Sequence, residues 1–250
     1  MSGHSKWSQI KRQKGANDAK RGALFTKVAR EIVVAARQGG GDPDANYRLR
    51  LAVEKARSIN MPADNIKRAI ERASGSGEGE QYEEVVYEGY GPGGVAVLVE
   101  TQTDNRNRTA ADVRAMFSKS GGQLAGAGAV AWQFEPRGYL TVPRTGLDVD
   151  EVALVAFDAG AEDVDTEGDE HVEIYTSPGD LERTRRTLEE AGYHVDSAET
   201  TMVAKQTVEL DSHRARQNLR LVEMLEDLDD VQRVTANFEI PEDVFAEVAG

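Results

Sequence analysis

The stretch Ser74-Gly75-Ser76-Gly77-Glu78-Gly79 decides how the 250 residues divide, because Gly/Ser runs of this kind connect compact units without packing into either. Upstream of it, apolar residues recur at helical spacing and the charge is basic. Downstream, short strand-like runs alternate with helical ones and the charge is acidic. The first 75 residues hold sixteen Lys and Arg against seven Asp and Glu, a net of +9 within a chain of −14, so the remainder carries −23. A net negative field repels polyanions, but within a Debye length of about 8 Å the local potential governs docking.

The first 20 residues read as a polar arm in which Lys6, Lys11, Arg12, Lys14 and Lys20, followed by Arg21, surround Trp7 and Ile10. From Leu24 onward Leu24, Phe25, Val28, Ala29, Ile32, Val33 and Ala36 form one helical stripe, with Lys27, Arg30 and Arg37 off it. Gly39, Gly40 and Gly41 end that helix. Asp42 reads as the N-cap and Pro43 as the first position of a second helix reaching about residue 60. Pro62 opens a third, whose Ile66, Ala69, Ile70 and Ala73 face inward while Lys67, Arg68 and Arg72 lie opposite. Three amphipathic helices share one small core, so residues 1–75 are expected to form a basic helical domain with an N-terminal arm.

Beyond the linker, residues 84–90 and 95–101 read as strands of a hairpin turned by Gly91-Pro92-Gly93-Gly94. Thr109 and Asp112 resemble a capping box for a helix through Val113, Met116 and Phe117. A Gly-rich loop at 121–128 leads to an expected strand in which Val130, Trp132 and Phe134 alternate with polar or small neighbours. Between 136 and 204 the order is strand (139–142), helix (149–159), strand (161–165), strand (172–176), helix (180–191), strand (193–202). This βαββαβ order is ferredoxin-like. A strand at 206–210, a helix through Leu221, Met224, Leu225 and Leu228, and a strand at 233–238 are expected to complete the sheet begun at Glu84. The predicted fold class is therefore α+β and multidomain: a three-helix domain (1–75), a discontinuous α/β domain (80–135 plus 205–240) and an acidic ferredoxin-like domain (136–204).

The inventory excludes much chemistry. There is no Cys, hence no disulfide, thiolate nucleophile or cysteine-bound metal. His4, His171, His194 and His213 are scattered without metal-ligand spacing, and no cofactor motif appears. The glycines at 89–94 lack the Lys-Ser/Thr of a phosphate loop and open a strand rather than a helix. Asp163, Asp165, Glu167 and Gly168 match the first half of a calcium loop, but its twelfth position is Ile174 where a bidentate Glu is needed. No G-x-S-x-G elbow is present, so neither catalytic residues nor a metal site are expected and the chain reads as a non-enzyme. No apolar run approaches the roughly 18 residues of a membrane span. MSGHSKWSQIKRQKG lacks the apolar core of a secretory signal, which together point to a cytoplasmic protein without membrane contact.

What remains is basic surface. Lys and Arg neutralise phosphates and release counterions, and an exposed aromatic stacks on bases. The expected nucleic-acid set is Lys6, Trp7, Lys11, Arg12, Lys14, Lys20, Arg21, Lys27, Arg30, Lys67, Arg68 and Arg72, extended by Arg106 and Arg108 in the polar turn 103–108. The acidic domain is expected to keep the protein soluble, or to dock basic protein partners. Oligomeric state is not readable from these features.

Gly3-His4-Ser5-Lys6-Trp7, Asp18-Ala19-Lys20-Arg21-Gly22, Gly39-Gly40-Gly41-Asp42-Pro43, Asn60-Met61-Pro62, Tyr87-Glu88-Gly89-Tyr90-Gly91-Pro92-Gly93-Gly94 and Thr103-Asp104-Asn105-Arg106-Asn107-Arg108-Thr109, in this order, resemble the YebC/PmpR family across essentially the whole chain. The resemblance implies three domains, one helical and two α/β. It implies a DNA-binding transcriptional regulator as in bacterial members, or a ribosome-associated translation factor binding ribosomal or transfer RNA, as the mitochondrial member acts in translation. An acidic protein-interaction scaffold is the further alternative. The family loop matching 121–130 usually carries more polar residues in its middle than the all-small version here.

Overall fold

The computed structural model describes residues 18–74, 81–168 and 170–249. The fold is α+β, with an N-terminal helical region followed by two antiparallel sheets, as the sequence predicts.

Helices α1 (Asp18–Gly39), α2 (Tyr47–Ser58) and α3 (Ala63–Ser74) bury Ile32, Leu49, Ala52, Ala56, Met61 and Ile66 in one core. The expected N-cap at Asp42 is displaced. Residues 42–45 form a turn, and Asn46 caps α2 by accepting from Leu49 N. Asn46 prevails because its buried amide also donates to Ala35 O and Gly40 O, both at 2.8 Å, satisfying carbonyls at the end of α1. Gly39 is required there, since a Cβ would lie 2.6 Å from that amide.

The first sheet has the order β3-β1-β2-β8, built from β1 (Glu83–Gly91), β2 (Val95–Thr103), β3 (Gln123–Leu124) and β8 (Val231–Ala236). Its hairpin closes through Gly94 N to Gly91 O, with Pro92 followed by Gly93 at φ 83°, the residues a type II turn demands. Strand β2 is buried along nearly its whole length because both its faces are covered. Val95, Val97 and Val99 pack under α4 (Arg106–Lys119) and α7 (Ser212–Glu226), joined by Val244 of α8 (Glu242–Ala249). Ala96 and Leu98 on the other face meet Val130, Phe134 and Met202.

The second sheet, β5-β6-β4-β7, has the ferredoxin-like order. It consists of β4 (Phe134–Pro143), β5 (Ala161–Asp165), β6 (His171–Thr176) and β7 (Ser197–Ala204), covered by α5 (Val149–Ala159) and α6 (Leu181–Glu190).

Four expectations shift. Helix α4 is capped by Asn105, not Thr109, whose hydroxyl is buried against Asp230. The alternation at Val130, Trp132 and Phe134 is not strand: residues 131–133 form a 3-10 turn, because the N–H groups of Val130 and Ala131 bond the Glu88 carboxylate instead of a neighbouring strand. The last strand of the ferredoxin-like unit starts at Ser197 rather than 193, as Tyr193 N closes the end of α6 on Leu188 O. Residues 206–210 contribute only a single parallel bridge, Val208 to Phe238.

Candidate nucleic-acid interface

The helical unit meets both acidic units, and its cations fall into two groups according to which way they face. Those facing inward are paired. Arg30, on α1, donates to Gln102 O at 2.8 Å, Asp229 O at 3.0 Å and Asp230 Oδ1 at 2.8 Å, and its guanidinium lies 4.7 Å from the Tyr82 ring centre. Asp230 is the node of this contact. Besides Arg30 it accepts from Arg108 Nη2 at 2.9 Å, Thr109 Oγ1 at 2.6 Å and Thr103 Oγ1 at 3.2 Å. Burial pushes its carboxyl up, but the bonds from Thr109 and Arg108 and the charge of Arg30 outweigh burial and hold it below its ordinary value.

A second inward contact joins Arg48 of α2 to Glu84 of β1, with Gln38 Nε2 donating to the same carboxylate at 3.0 Å. The Arg48 bond holds the Glu84 carboxyl down at about 2. Lys27 donates to Glu226 O. Toward the ferredoxin-like unit, Arg185 bonds Glu54 and Arg50 lies 3.5 Å from Glu182. A cleft of about 900 Å³ opens where the three units converge. The four cations lining it have carboxylate partners: Arg48 with Glu84, Lys55 with Glu31, Arg185 with Glu54, and Arg233 with Glu199. The cleft thus presents cations whose charge is already met by neighbouring carboxylates.

The outward group is different. Lys67, Arg68 and Arg72 stand exposed on α3, with Arg57 of α2 also exposed. Among the described residues, Lys67 lies 3.8 Å from Glu71 on the same helix, a pair worth little in water. Asp64 in the first turn and Arg72 in the last complement the helix dipole. Arg106 is 65% exposed and 3.7 Å from Glu83, whereas Arg108 is bound to Asp104 and Asp230. Lys6, Trp7, Lys11, Arg12 and Lys14 lie outside the described residues; Lys20 and Arg21 sit in α1, with their side chains outside the description.

Two features were not anticipated from sequence. Glu88 is buried within β1 and accepts from the backbone N–H groups of Gly128 (2.6 Å), Val130 (2.7 Å) and Ala131 (2.8 Å). Burial raises its carboxyl, yet the three bonds outweigh burial and leave it lowered. The Gly-rich loop is thereby pinned at its end, with Trp132 beside it, 69% exposed. The signal available for Glu88 was an acid set between Tyr87 and Gly89 in the apolar and glycine-rich half of the strand, away from Glu83 and Glu84 at its start. Asp230 had none, since it lies in an acidic run, 226–230, where every carboxylate looks alike.

Among the described residues no group of His, Asp or Glu is placed to hold a metal ion, and no helix is long and apolar enough to cross a membrane.

A basic helical unit clamped onto two acidic α/β units, with a second basic face left outward, defines a three-unit protein whose cations divide into a paired and an exposed set. Residues 5–76 match the TACO1/YebC protein N-terminal domain and residues 82–238 match the TACO1/YebC second and third domain, so the chain belongs to the TACO1/YebC family. It is 57% identical over 251 residues to a "probable transcriptional regulatory protein" of Rubrobacter xylanophilus, covering 100% of both chains. A protein of the same description from Roseiflexus castenholzii is 56% identical, with 96% of each chain covered. Among solved structures, a conserved hypothetical protein from Aquifex aeolicus superposes with a TM-score of 0.85 at 49% identity, covering 90% of this chain and 93% of that one.

Proposed function

We propose that the chain is a non-catalytic regulator of gene expression that binds DNA through the outward face of α3 and the N-terminal arm. In this reading the chain divides into a nucleic-acid-binding domain (1–75) and two α/β domains (80–135 plus 205–240, and 136–204) that orient it. The observation that carries the reading is the sorting of cations: Lys67, Arg68 and Arg72 remain exposed on one helix while those facing the acidic units are paired. The sequence shows no clear helix-turn-helix spacing, but the join between α2 and α3 spans only residues 59–62, with Asn60 at φ 59°, a connection as short as that motif uses, which supports α3 as the element offered to DNA. The relatives' description as probable transcriptional regulatory proteins points the same way.

A ribosome-associated role is the second reading, and one observation favours it. Leu154 and Phe157, one turn apart on α5, are exposed among Asp150, Glu151 and Asp158, a surface suited to basic protein partners. The test is enrichment at promoter DNA compared with co-sedimentation with ribosomes in the same cells, for the native chain and for the triple variant Lys67→Glu, Arg68→Glu, Arg72→Glu. DNA regulation requires promoter enrichment that the triple variant loses. Loss of co-sedimentation alone selects the ribosomal role, and no change in either removes α3 from both.

A further inference from the structure

The Trp132 indole is unusual for being both exposed and fixed. Tryptophan removes more apolar surface from water than any other side chain, so leaving one 69% exposed forgoes that gain. Here the local chain holds it out. The 3-10 turn 131–133 sets its backbone, and its Nε1–H donates to Ala129 O at 3.1 Å. The same carbonyl accepts from Tyr90 Oη at 3.1 Å, and Glu88 anchors the turn through its three backbone bonds. A platform whose orientation is set before binding loses little entropy when a ligand arrives.

Its surroundings narrow the ligand. Gly126, Ala127 and Gly128 are exposed beside it, and a Cβ built on Gly126 or Gly128 would meet nothing within 4 Å, so a flat group reaches the ring across bare backbone. The exposed Lys205 donates its ammonium to Trp132 O at 2.9 Å, which sets a cation on the backbone of the residue that carries the ring. An aromatic face with an adjoining ammonium matches a base and its phosphate. A protein hot spot needs surrounding contacts that exclude water, and the exposed Gly126, Ala127 and Gly128 offer little side-chain surface for that.

We propose that Trp132 is a stacking platform for one unpaired nucleobase, with Lys205 holding the adjoining phosphate. This rests on the nucleic-acid reading above and adds a single-stranded contact on the central unit, separate from the basic face of α3.

The chain has two tryptophans, so a Trp7→Phe background makes Trp132 the sole indole reporter. The probes are a twelve-nucleotide oligoadenylate RNA and an abasic ribose-phosphate chain of equal length, each followed by anisotropy and by indole emission. Oligoadenylate is expected to quench Trp132 emission at saturation and the abasic chain is not. Trp132→Ala is expected to weaken oligoadenylate binding about 5- to 100-fold, Trp132→Phe to restore most of it, and neither to alter abasic affinity. Lys205→Ala should weaken both probes and flatten the salt dependence by roughly 0.7. Unquenched emission with unchanged Trp132→Ala affinity overturns the stacking site, while salt-dependent anisotropy in the same titration leaves the basic-face reading standing. Absence of binding to either probe, together with absence of binding to duplex DNA, overturns both.

Discussion

Arg30 and Arg68 belong to the same small helical unit, yet one is walled in by two carbonyls and a carboxylate while the other stands in solvent. The difference teaches that a basic domain's charge is not one quantity. Its inward half is an adhesive that fixes the unit against acidic neighbours; its outward half is available to a ligand. A net of +9 counts both alike.

The largest effect that would break this comparison comes from Asp230. Asp230→Ala leaves Arg30 nearly buried without its counter-charge and is expected to destabilise the chain by about 3–5 kcal/mol in denaturant unfolding. An unfolding midpoint within error of the native protein would show the inward contact to be incidental. Next comes Glu88→Gln, which sets an amide before three N–H donors and satisfies them incompletely, at about 1–3 kcal/mol. Hydrogen exchange at Gly128, Val130 and Ala131 should accelerate, whereas unaltered protection would mean the loop holds itself.

The outward half responds in another observable. Lys67→Ala, Arg68→Ala and Arg72→Ala together are expected to leave stability within about 1 kcal/mol, these being exposed positions, while lowering the slope of log affinity against log salt by roughly 2–3. A variant that unfolds early but keeps its slope would invert the assignment of the two faces.

The smallest effect concerns pH. Glu84 is held at about 2 by Arg48, so its contribution is complete above the ordinary carboxylate value and is lost as pH falls through about 2. The pair is half exposed and worth less than about 1 kcal/mol. Arg48→Met should shallow the acid limb of a stability–pH profile between about pH 4 and 2; an unchanged limb would assign that slope to other carboxylates.

The helical stripes and the βαββαβ order were legible because periodicity of apolar residues is local information. Helix starts were less so. Asp42 and Thr109 are good caps in isolation, but Asn46 and Asn105 displaced them, the first through bonds to α1 and the second because Thr109 is drawn to Asp230, far along the chain. The same limit applies to the site. Arg30 and Lys67 look equivalent on a helical wheel, and the arrival of Tyr82, Gln102 and residues 226–230 against α1 separates them. Trp132 was read as one tooth of a strand because the carboxylate that bends its segment lies in β1.

Strand β4 begins at Phe134, in the core shared by the two α/β units, and runs without interruption to Pro143 in the second. Strand β4 carries the chain from one unit into the other without a linker, and its partner β7 carries it back, so the junction is a pair of hydrogen-bonded strands rather than a tether. Ten residues of extended backbone set a span of about 30 Å between the Trp132 turn and the far edge of the acidic unit. The chain thus carries a ruler: whatever is held at one end meets whatever docks at the other at a distance that covalent geometry dictates, and an insertion within β4 would change the reach, not only the stability.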